Sequence, residues 1–254
     1  MHEVMAALAE QQTELAGLLA DLDDDGWARL SACEGWSVAD VVLHLAQTNE
    51  MAIGSARGNL AAAMARLTEG VPPTVGDIDA GAASMVAHQR GAPASEVHER
   101  WARSRAELHA ALLERSPGDR LAWVAGDLAA RTLATTRLAE TWIHSGDVAA
   151  GLGVELVPAD RLWHVARLAW RTIRYAFERA GQPTPGPVAF ELVAPSGADW
   201  MFRPDGEVPV LTTVRGPGYD LCLIASRRVA PSATTLVADG PDGDAVLALI
   251  RTWA

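Results

Sequence analysis

Two segments that lie far apart in the sequence carry the side chains best suited to chemistry. Gly35 to Gln47, GWSVADVVLHLAQ, contains His44, and Ala139 to Gly153, AETWIHSGDVAAGLG, contains Glu140 and His144. Residues four apart on a helix leave the same face about one turn apart, so Glu140 and His144 can converge on one ion. A third ligand from His44 would complete a His/Glu/His set for a divalent metal.

Three protein ligands with an open position for water or substrate are typical of catalytic zinc sites, whereas structural sites are usually closed by four. Other first-row divalent ions, nickel and manganese among them, accept the same donors. The competing interpretation is chance, since the chain has 7 histidines and a histidine on a partly apolar helix is often an ordinary core residue. His44 lies within the apolar run VVLHLA, where a buried imidazole needs a hydrogen-bond partner or a metal.

Composition restricts the class of protein. A chain of 254 residues with 49% hydrophobic residues can bury a substantial core and is expected to be a folded soluble protein. Its formal net charge of −11 gives no electrostatic basis for binding nucleic acid or an anionic membrane. The two cysteines, Cys33 and Cys222, are far apart, which supports neither a disulfide framework nor a cysteine zinc site. We expect a reducing, cytoplasmic location.

The N-terminal segment MHEVMAALAEQQTELAGLLADL is predicted to be the first amphipathic helix. It is interrupted by acidic residues and has neither a basic start nor a small-residue cleavage site. These features argue against a signal peptide or a membrane span.

The first two thirds of the chain are predicted to form a helical bundle. Apolar residues recur three and four positions apart, the stripe of a helix that faces a core. Ser37 can cap the helix that carries His44, and Asp40 can complete an acidic capping box. The helical stripes run over Val4 to Leu22, Val38 to Ala56, Val97 to Leu113, Leu128 to Ala150 and Leu162 to Ala180.

The pattern of residues changes after Gly181, where the helical spacing of apolar residues ends. Short β-branched runs bounded by proline and glycine predict strands in VAFELVA, ADWMFRP, VPVLTTVRG and ATTLVADG, and helices in PGYDLCLIASRRV and DAVLALIRTWA. We therefore predict a helical domain over residues 1–180 and a small α+β domain over residues 181–254. The stretch from Glu69 to Ser95 is a long connection around a short helical piece, and it could lie over the mouth of the site.

GWSVADVVLHLAQ followed by RLAETWIHSGDVAAGLG resembles the signature of the DinB-like metal-binding superfamily and, within it, the mycothiol-dependent maleylpyruvate isomerase group. The resemblance covers nearly the whole chain and implies a four-helix bundle in which His44, Glu140 and His144 bind zinc. GPGYDLCLIASRRV and LVADGPDGDAVLALI resemble the smaller α/β domain that follows the bundle, so the implied fold class is α + α/β.

The resemblance also implies a thiol cofactor, mycothiol, and a small electrophilic metabolite as substrate. Zinc would deprotonate the thiol, which is mostly protonated at neutral pH when free. In an isomerase the thiolate adds to a conjugated double bond, a single bond rotates, and elimination follows; in an S-transferase the adduct is released. The ligand set does not separate these outcomes from a non-catalytic metal-binding protein or a metal-dependent hydrolase.

Weaker candidates surround these ligands. Asp147, three residues after His144, is either an acceptor that orients the imidazole or a solvated helix charge. In the isomerases an arginine of the C-terminal domain holds the anionic substrate, and Arg215, Arg227 and Arg228 are the candidates near the matching region. Arg227 and Arg228 close a predicted helix and could instead complement its dipole.

Five further residues are assigned no role in catalysis. Cys33 and Cys222 have no base beside them in sequence, and a buried free cysteine usually acts as a small apolar residue. Trp36, Trp142 and Trp170 could line a pocket, but tryptophan at helical spacing is usually core.

Overall fold

The computed structural model describes residues 1–71 and 78–252, and it divides into two compact units, Met1–Leu156 and Val157–Ala254. The sequence analysis places the boundary between the two domains after residue 180, whereas the division between the two units falls after Leu156. The difference concerns the predicted helix Leu162 to Ala180, which belongs to the second unit because it packs on that unit's sheet. The division into independent domains stays a prediction.

The first unit is a bundle of four long helices supplemented by short elements. α3 packs on both α6 and α7, and α1 packs on α7. This confirms the predicted helical bundle. Its elements are α1 (His2–Leu19), α2 (Asp24–Ala28), α3 (Val38–Ala56), α4 (Leu60–Leu67), α5 (Ile78–Gln89), α6 (Ala94–Leu113), a two-stranded hairpin of β1 (Arg120–Leu121) and β2 (Leu128–Ala129), and α7 (Ala130–Leu152).

The central helix α3 begins where the sequence predicts. The Ser37 hydroxyl accepts a hydrogen bond from the Asp40 amide at 3.2 Å, and the Asp40 carboxylate accepts one from the Ser37 amide at 2.9 Å. This capping box fixes the first turn and therefore the rotation of the helix. Because nearly every residue from Val38 to Ala56 is buried, α3 forms the centre of the bundle rather than one of its outer helices.

The long connection before α6 lies partly outside the described residues, since residues 72–77 are not described. The short helix predicted within it is α5. The buried Gln47 amide donates to the Met85 carbonyl and to the Gln89 side chain, both at 3.1 Å, so α5 is attached to α3. Over the residues that the structure describes, none of the helices combines the length and the apolar character needed to span a bilayer.

The second unit is α+β, as predicted. Its four-stranded sheet has the order β4-β3-β5-β6, with β3 and β5 parallel and the other pairs antiparallel. The predicted helix Leu162 to Ala180 is interrupted at Thr172, where the backbone leaves helical geometry. The elements are a 3-10 turn (Asp160–Leu162), α8 (Trp163–Arg171), α9 (Ile173–Arg179), β3 (Val188–Val193), β4 (Asp199–Phe202), β5 (Thr212–Pro217), α10 (Gly218–Ala225), β6 (Val237–Asp239) and α11 (Gly243–Leu249).

Aromatic packing joins α8 to this sheet. Phe190 and Phe202 are register partners on β3 and β4, and the rings of Trp163 and Trp170 lie 5.6 and 6.2 Å from that of Phe202. The Trp170 indole N–H also donates to the Val188 carbonyl at 2.9 Å. Trp170 is thus a core residue, and this packing explains why residues 162–179 belong with the sheet.

Candidate metal centre

The structure brings His44, Glu140 and His144 together in the interior of the bundle. His44 comes from α3, and Glu140 and His144 come from successive turns of α7, which packs against it. Nε2 of His44 lies 3.4 Å and Nε2 of His144 lies 3.9 Å from the same oxygen, Oε2 of Glu140. One ligand atom from each residue lies within 4.8 Å of the others. Each residue is 7% exposed.

This geometry fits a divalent cation. Ligand atoms bound tetrahedrally to one zinc ion at its usual bond lengths are separated by about 3.4 Å. The spacing of the two imidazoles from Glu140 is close to that value, so small side-chain movements would complete a coordination sphere. Nδ1 of His44 is buried with no hydrogen-bond partner among the described residues, a cost that a metal on Nε2 would not remove. Imidazole and carboxylate donors suit zinc and other first-row ions.

The protonation states of the cluster favour metal binding. Burial lowers the pKa of His44 despite the opposing hydrogen bond to Glu140, so the imidazole is held neutral. Burial would by itself raise the pKa of Glu140, but the His44 hydrogen bond and the nearby Arg137 charge lower that pKa to about 2. A neutral imidazole and an ionised carboxylate are the forms that bind a cation.

Asp147 contacts the second imidazole of the cluster. Its Oδ2 lies 2.9 Å from Nδ1 of His144, and the residue is only 2% exposed. It is therefore not a solvated helix charge. A carboxylate on Nδ1 leaves Nε2 of His144 free to face Glu140 and a metal.

Trp36, which the sequence suggested to be ordinary core, contacts both imidazoles of the cluster. Its ring lies 5.2 Å from that of His44 and 6.4 Å from that of His144, nearly parallel to the latter. The loop that precedes α3 holds it there, since Ser31 donates two hydrogen bonds to the Trp36 carbonyl, from its amide and its hydroxyl. Gly35 supplies the positive φ of 75° that this turn requires. The sequence signal that could have identified Trp36 was its position directly before Ser37, the N-cap of the helix that carries His44.

The same loop is fixed to the helix of the metal ligands. The Ala32 amide donates to the Asp147 carbonyl at 3.0 Å. A Cβ added at Gly151 would lie 2.4 Å from the Leu30 carbonyl oxygen, so the loop approaches α7 as closely as only glycine allows. Trp36 and Asp147 are thereby held by one local structure.

Arg137 is a second residue that the sequence analysis missed. It precedes Glu140 by one helical turn and is 4% exposed, and burial lowers its pKa without removing its charge. Its guanidinium carbon lies 5.2 Å from the ring centre of Trp123, in the β1–β2 connection. The signal was its helical spacing from Glu140 and His144 on the face that carries both ligands.

The three arginines considered for substrate binding lie in the second unit, where all three are exposed. Arg215 is on β5 with its side chain 50% exposed, and its Nε donates to the Glu191 carboxylate at 2.7 Å. Arg227 follows the end of α10 and has a positive φ of 61°. Arg228 donates to the Ser226 carbonyl at 3.0 Å, which favours the helix-end interpretation for that residue. Their role in substrate binding stays a prediction.

The two cysteines lie in different surroundings. Cys33 packs against the bundle core at intermediate burial. Cys222 is fully buried on α10, and burial raises the pKa of its thiol well above the ordinary value. A thiol in that state is unreactive, consistent with a packing role for Cys222.

Comparison with known proteins supports the resemblance read from the sequence. The family model described as the mycothiol maleylpyruvate isomerase N-terminal domain matches residues 8–149. Two uncharacterized proteins of Mycobacterium tuberculosis, from strains CDC 1551 / Oshkosh and ATCC 25618 / H37Rv, are each 32% identical over 251 residues, covering 98% of this chain and 95% of the relative. Crystal structures of the mycothiol-dependent maleylpyruvate isomerase and of a mutant of it share the fold, with a TM-score of 0.60, 18% identity and 95% coverage of both chains.

Proposed function

Because the chain belongs to the family of the mycothiol maleylpyruvate isomerase N-terminal domain, we propose that it is a metal-dependent, mycothiol-using isomerase of a small electrophilic metabolite. The observation that carries this proposal is the convergence of His44, Glu140 and His144 within 4.8 Å. Their donor set favours zinc, and three ligands leave a coordination position for an exogenous group. A cytoplasmic location is part of the proposal.

The protein's own residues would prepare this centre in three ways. His44, Glu140 and His144 would hold the ion, which supplies positive charge that lowers the pKa of a coordinated thiol. Asp147 would keep Nε2 of His144 directed at the ion through its 2.9 Å contact with Nδ1. The Trp36 ring, packed against both imidazoles, would restrict water and limit the directions from which a thiol can approach.

Two alternatives have the same ligand set. An S-transferase would release the thiol adduct instead of eliminating the thiol, and the metal site would be unchanged. A non-catalytic metal-binding protein or a metal-dependent hydrolase would bind the ion without a thiol. Mycothiol binding therefore separates the thiol enzymes from the others, and product analysis separates isomerase from transferase.

The first test is metal analysis by mass spectrometry, together with titration of mycothiol into metal-loaded protein. We expect stoichiometric metal and mycothiol binding in the wild type. In His44→Ala and His144→Ala we expect high-affinity metal and thiol binding to be lost while the helix content by circular dichroism is retained, because the bundle core surrounds the site without depending on the ion. His88→Ala, which changes an exposed histidine on α5, is the matched control.

The outcomes separate the possibilities. Unchanged metal content in both ligand variants would overturn the site assignment. Metal without thiol binding in the wild type would move the function to hydrolysis or to a non-catalytic role. Thiol binding justifies an assay with conjugated cis electrophiles, in which a trans product supports the isomerase and a stable thiol adduct supports the transferase.

A further inference from the structure

Arg137 is a buried cation without a hydrogen-bond partner in the described part of the chain. Its Nε and Nη1 atoms are inaccessible to solvent and make no hydrogen bond there. Leaving an arginine in this state is expensive, because a buried charge that lacks a partner loses its hydration without compensation. Some other buried polar groups of the bundle do have partners, for example the Asn49 amide, which donates to the Ser104 hydroxyl at 3.1 Å. Arg137 therefore has an unused capacity to bind an anion.

Arg137 lies on the same helix as two of the metal ligands, so an anion bound to it would belong to the metal site. It lies three residues before Glu140 and seven before His144, which places all three on one face of α7. Its charge is close enough to lower the pKa values of both Glu140 and His44. The cation–π contact with the Trp123 ring, 5.2 Å from the guanidinium carbon to the ring centre, leaves Nε and Nη1 of Arg137 without a hydrogen-bond acceptor among the described residues.

The charges of the site permit an anion at Arg137. A bound divalent ion would leave the group of Arg137, Glu140 and Asp147 with one excess positive charge inside a low-dielectric bundle, and a thiolate on the ion would offset it. That thiolate would not satisfy the Nε and Nη1 donors of Arg137, whereas a carboxylate offers two acceptor oxygens that match the guanidinium.

We propose that Arg137 is the anion-binding residue of this site and holds a carboxylate of the substrate beside the metal centre. This inference rests on the proposed function for the identity of the ligand. It assigns anion recognition to the bundle rather than to the exposed arginines Arg215 and Arg227.

The test is calorimetric titration of maleate, a small cis-dicarboxylate, into the full-length protein in metal-loaded and metal-free forms. Maleamide, which has the same shape without the charges, is the ligand control. We expect maleate to bind the wild type and maleamide not to bind. Arg137→Gln should weaken maleate binding at least about tenfold while the metal content stays unchanged, and Arg137→Lys should give an intermediate loss.

Arg105→Gln is the matched protein control. Arg105 also stacks on a tryptophan, with its guanidinium carbon 4.9 Å from the ring centre of Trp101, but it lies on α6 and donates to the Gln12 carbonyl. We expect it to bind maleate as the wild type does. Thermal unfolding separates binding from a structural role: in the ligand-free state Arg137→Gln should be as stable as the wild type or more stable. Maleate should raise the Tm of the wild type and of Arg105→Gln but not that of Arg137→Gln.

Maleate affinity that is unchanged in Arg137→Gln, or absent from the wild type in both forms, would overturn the inference. If Arg137→Gln fails to fold, Arg137→Lys decides, and wild-type affinity in that variant contradicts a bidentate contact. Failure of the proposed function has a different signature, since a protein that binds neither metal nor mycothiol can still show Arg137-dependent maleate binding in the metal-free form.

Discussion

Two charged clusters, one in each unit, use similar residue types in opposite ways. In the second unit, Glu191 on β3 accepts hydrogen bonds from Arg203 and from Arg215, its register partner on β5. Both arginines of this triplet are half exposed. In the bundle, His44, Glu140 and His144 are buried, and Arg137 nearby has no hydrogen-bond partner among the described residues.

The difference shows where a ligand is needed. Each carboxylate oxygen of the exposed triplet is paired within the sheet and water screens its charges, so the triplet is complete and contributes little free energy. The bundle cluster has been removed from water yet leaves Nδ1 of His44 and the Arg137 guanidinium unsatisfied in the described chain. Buried polar groups without partners are costly, and an anion at Arg137 would reduce that cost, while a metal would bind Nε2 of His44 and the other donors that face it.

Outside the three ligands themselves, the largest expected effect is at Asp147. Asp147→Asn should lower metal affinity by about 10- to 100-fold, because the neutral amide cannot accept the Nδ1 proton of His144 with the strength of a carboxylate and so orients the ring less firmly. Competition with a chromophoric chelator measures the affinity. Glu107→Gln, which removes an exposed carboxylate paired with Arg57, is the control and should bind metal normally. Equal metal affinities of Asp147→Asn and Glu107→Gln would contradict a role for Asp147 in metal binding.

A second expected effect concerns the pH dependence of stability in the metal-free protein. The pKa of His44 is lowered in the folded state by burial, so the unfolded chain binds a proton more readily. The neutral, buried His44 therefore contributes to the free energy of unfolding fully above pH about 6.5. The contribution is lost as pH falls below that value, with a slope of at most about 1.4 kcal/mol per pH unit. The Glu140 contribution follows at lower pH, between about 4.5 and about 2.

Denaturant unfolding of chelator-treated protein at pH 7 and pH 5.5 tests this expectation. The wild type should lose more unfolding free energy over that interval than His44→Gln, which carries no titrating imidazole at this position. Parallel pH profiles for the two proteins would mean that His44 is not held neutral by burial.

The smallest effect is expected in the exposed triplet. Arg215→Gln should change the free energy of unfolding by no more than about 0.5 kcal/mol, because water screens the Glu191 contact and Arg203 remains paired with the same carboxylate. Metal content and maleate affinity should match the wild type. A tenfold loss of maleate affinity in Arg215→Gln would contradict the distinction between the clusters and restore Arg215 as a substrate-binding residue.

Much of the fold and of the candidate site was predictable because the signals are local. Glu140 and His144 are four residues apart, and the regular geometry of a helix places them on one face; Ser37 with Asp40 predicts the start of α3. The strands β3, β4 and β6 each fall within a predicted β-branched run, and β5 lies in the second half of one and ends one residue beyond it, at Pro217. The short α2 and α4, the β1–β2 hairpin and the break at Thr172 were missed, because brief elements have little periodicity of their own.

The sequence by itself determined which residues could bind a metal and that they would lie on helices, since side-chain chemistry and helical period are properties of a few consecutive residues. Only the tertiary structure decided that α3 and α7 bring those residues within 4.8 Å, that Trp36 contacts both imidazoles, and that Arg137 is buried without a hydrogen-bond partner among the described residues. These features depend on contacts between distant segments, and burial, which sets their energetic cost, exists only after the helices have packed.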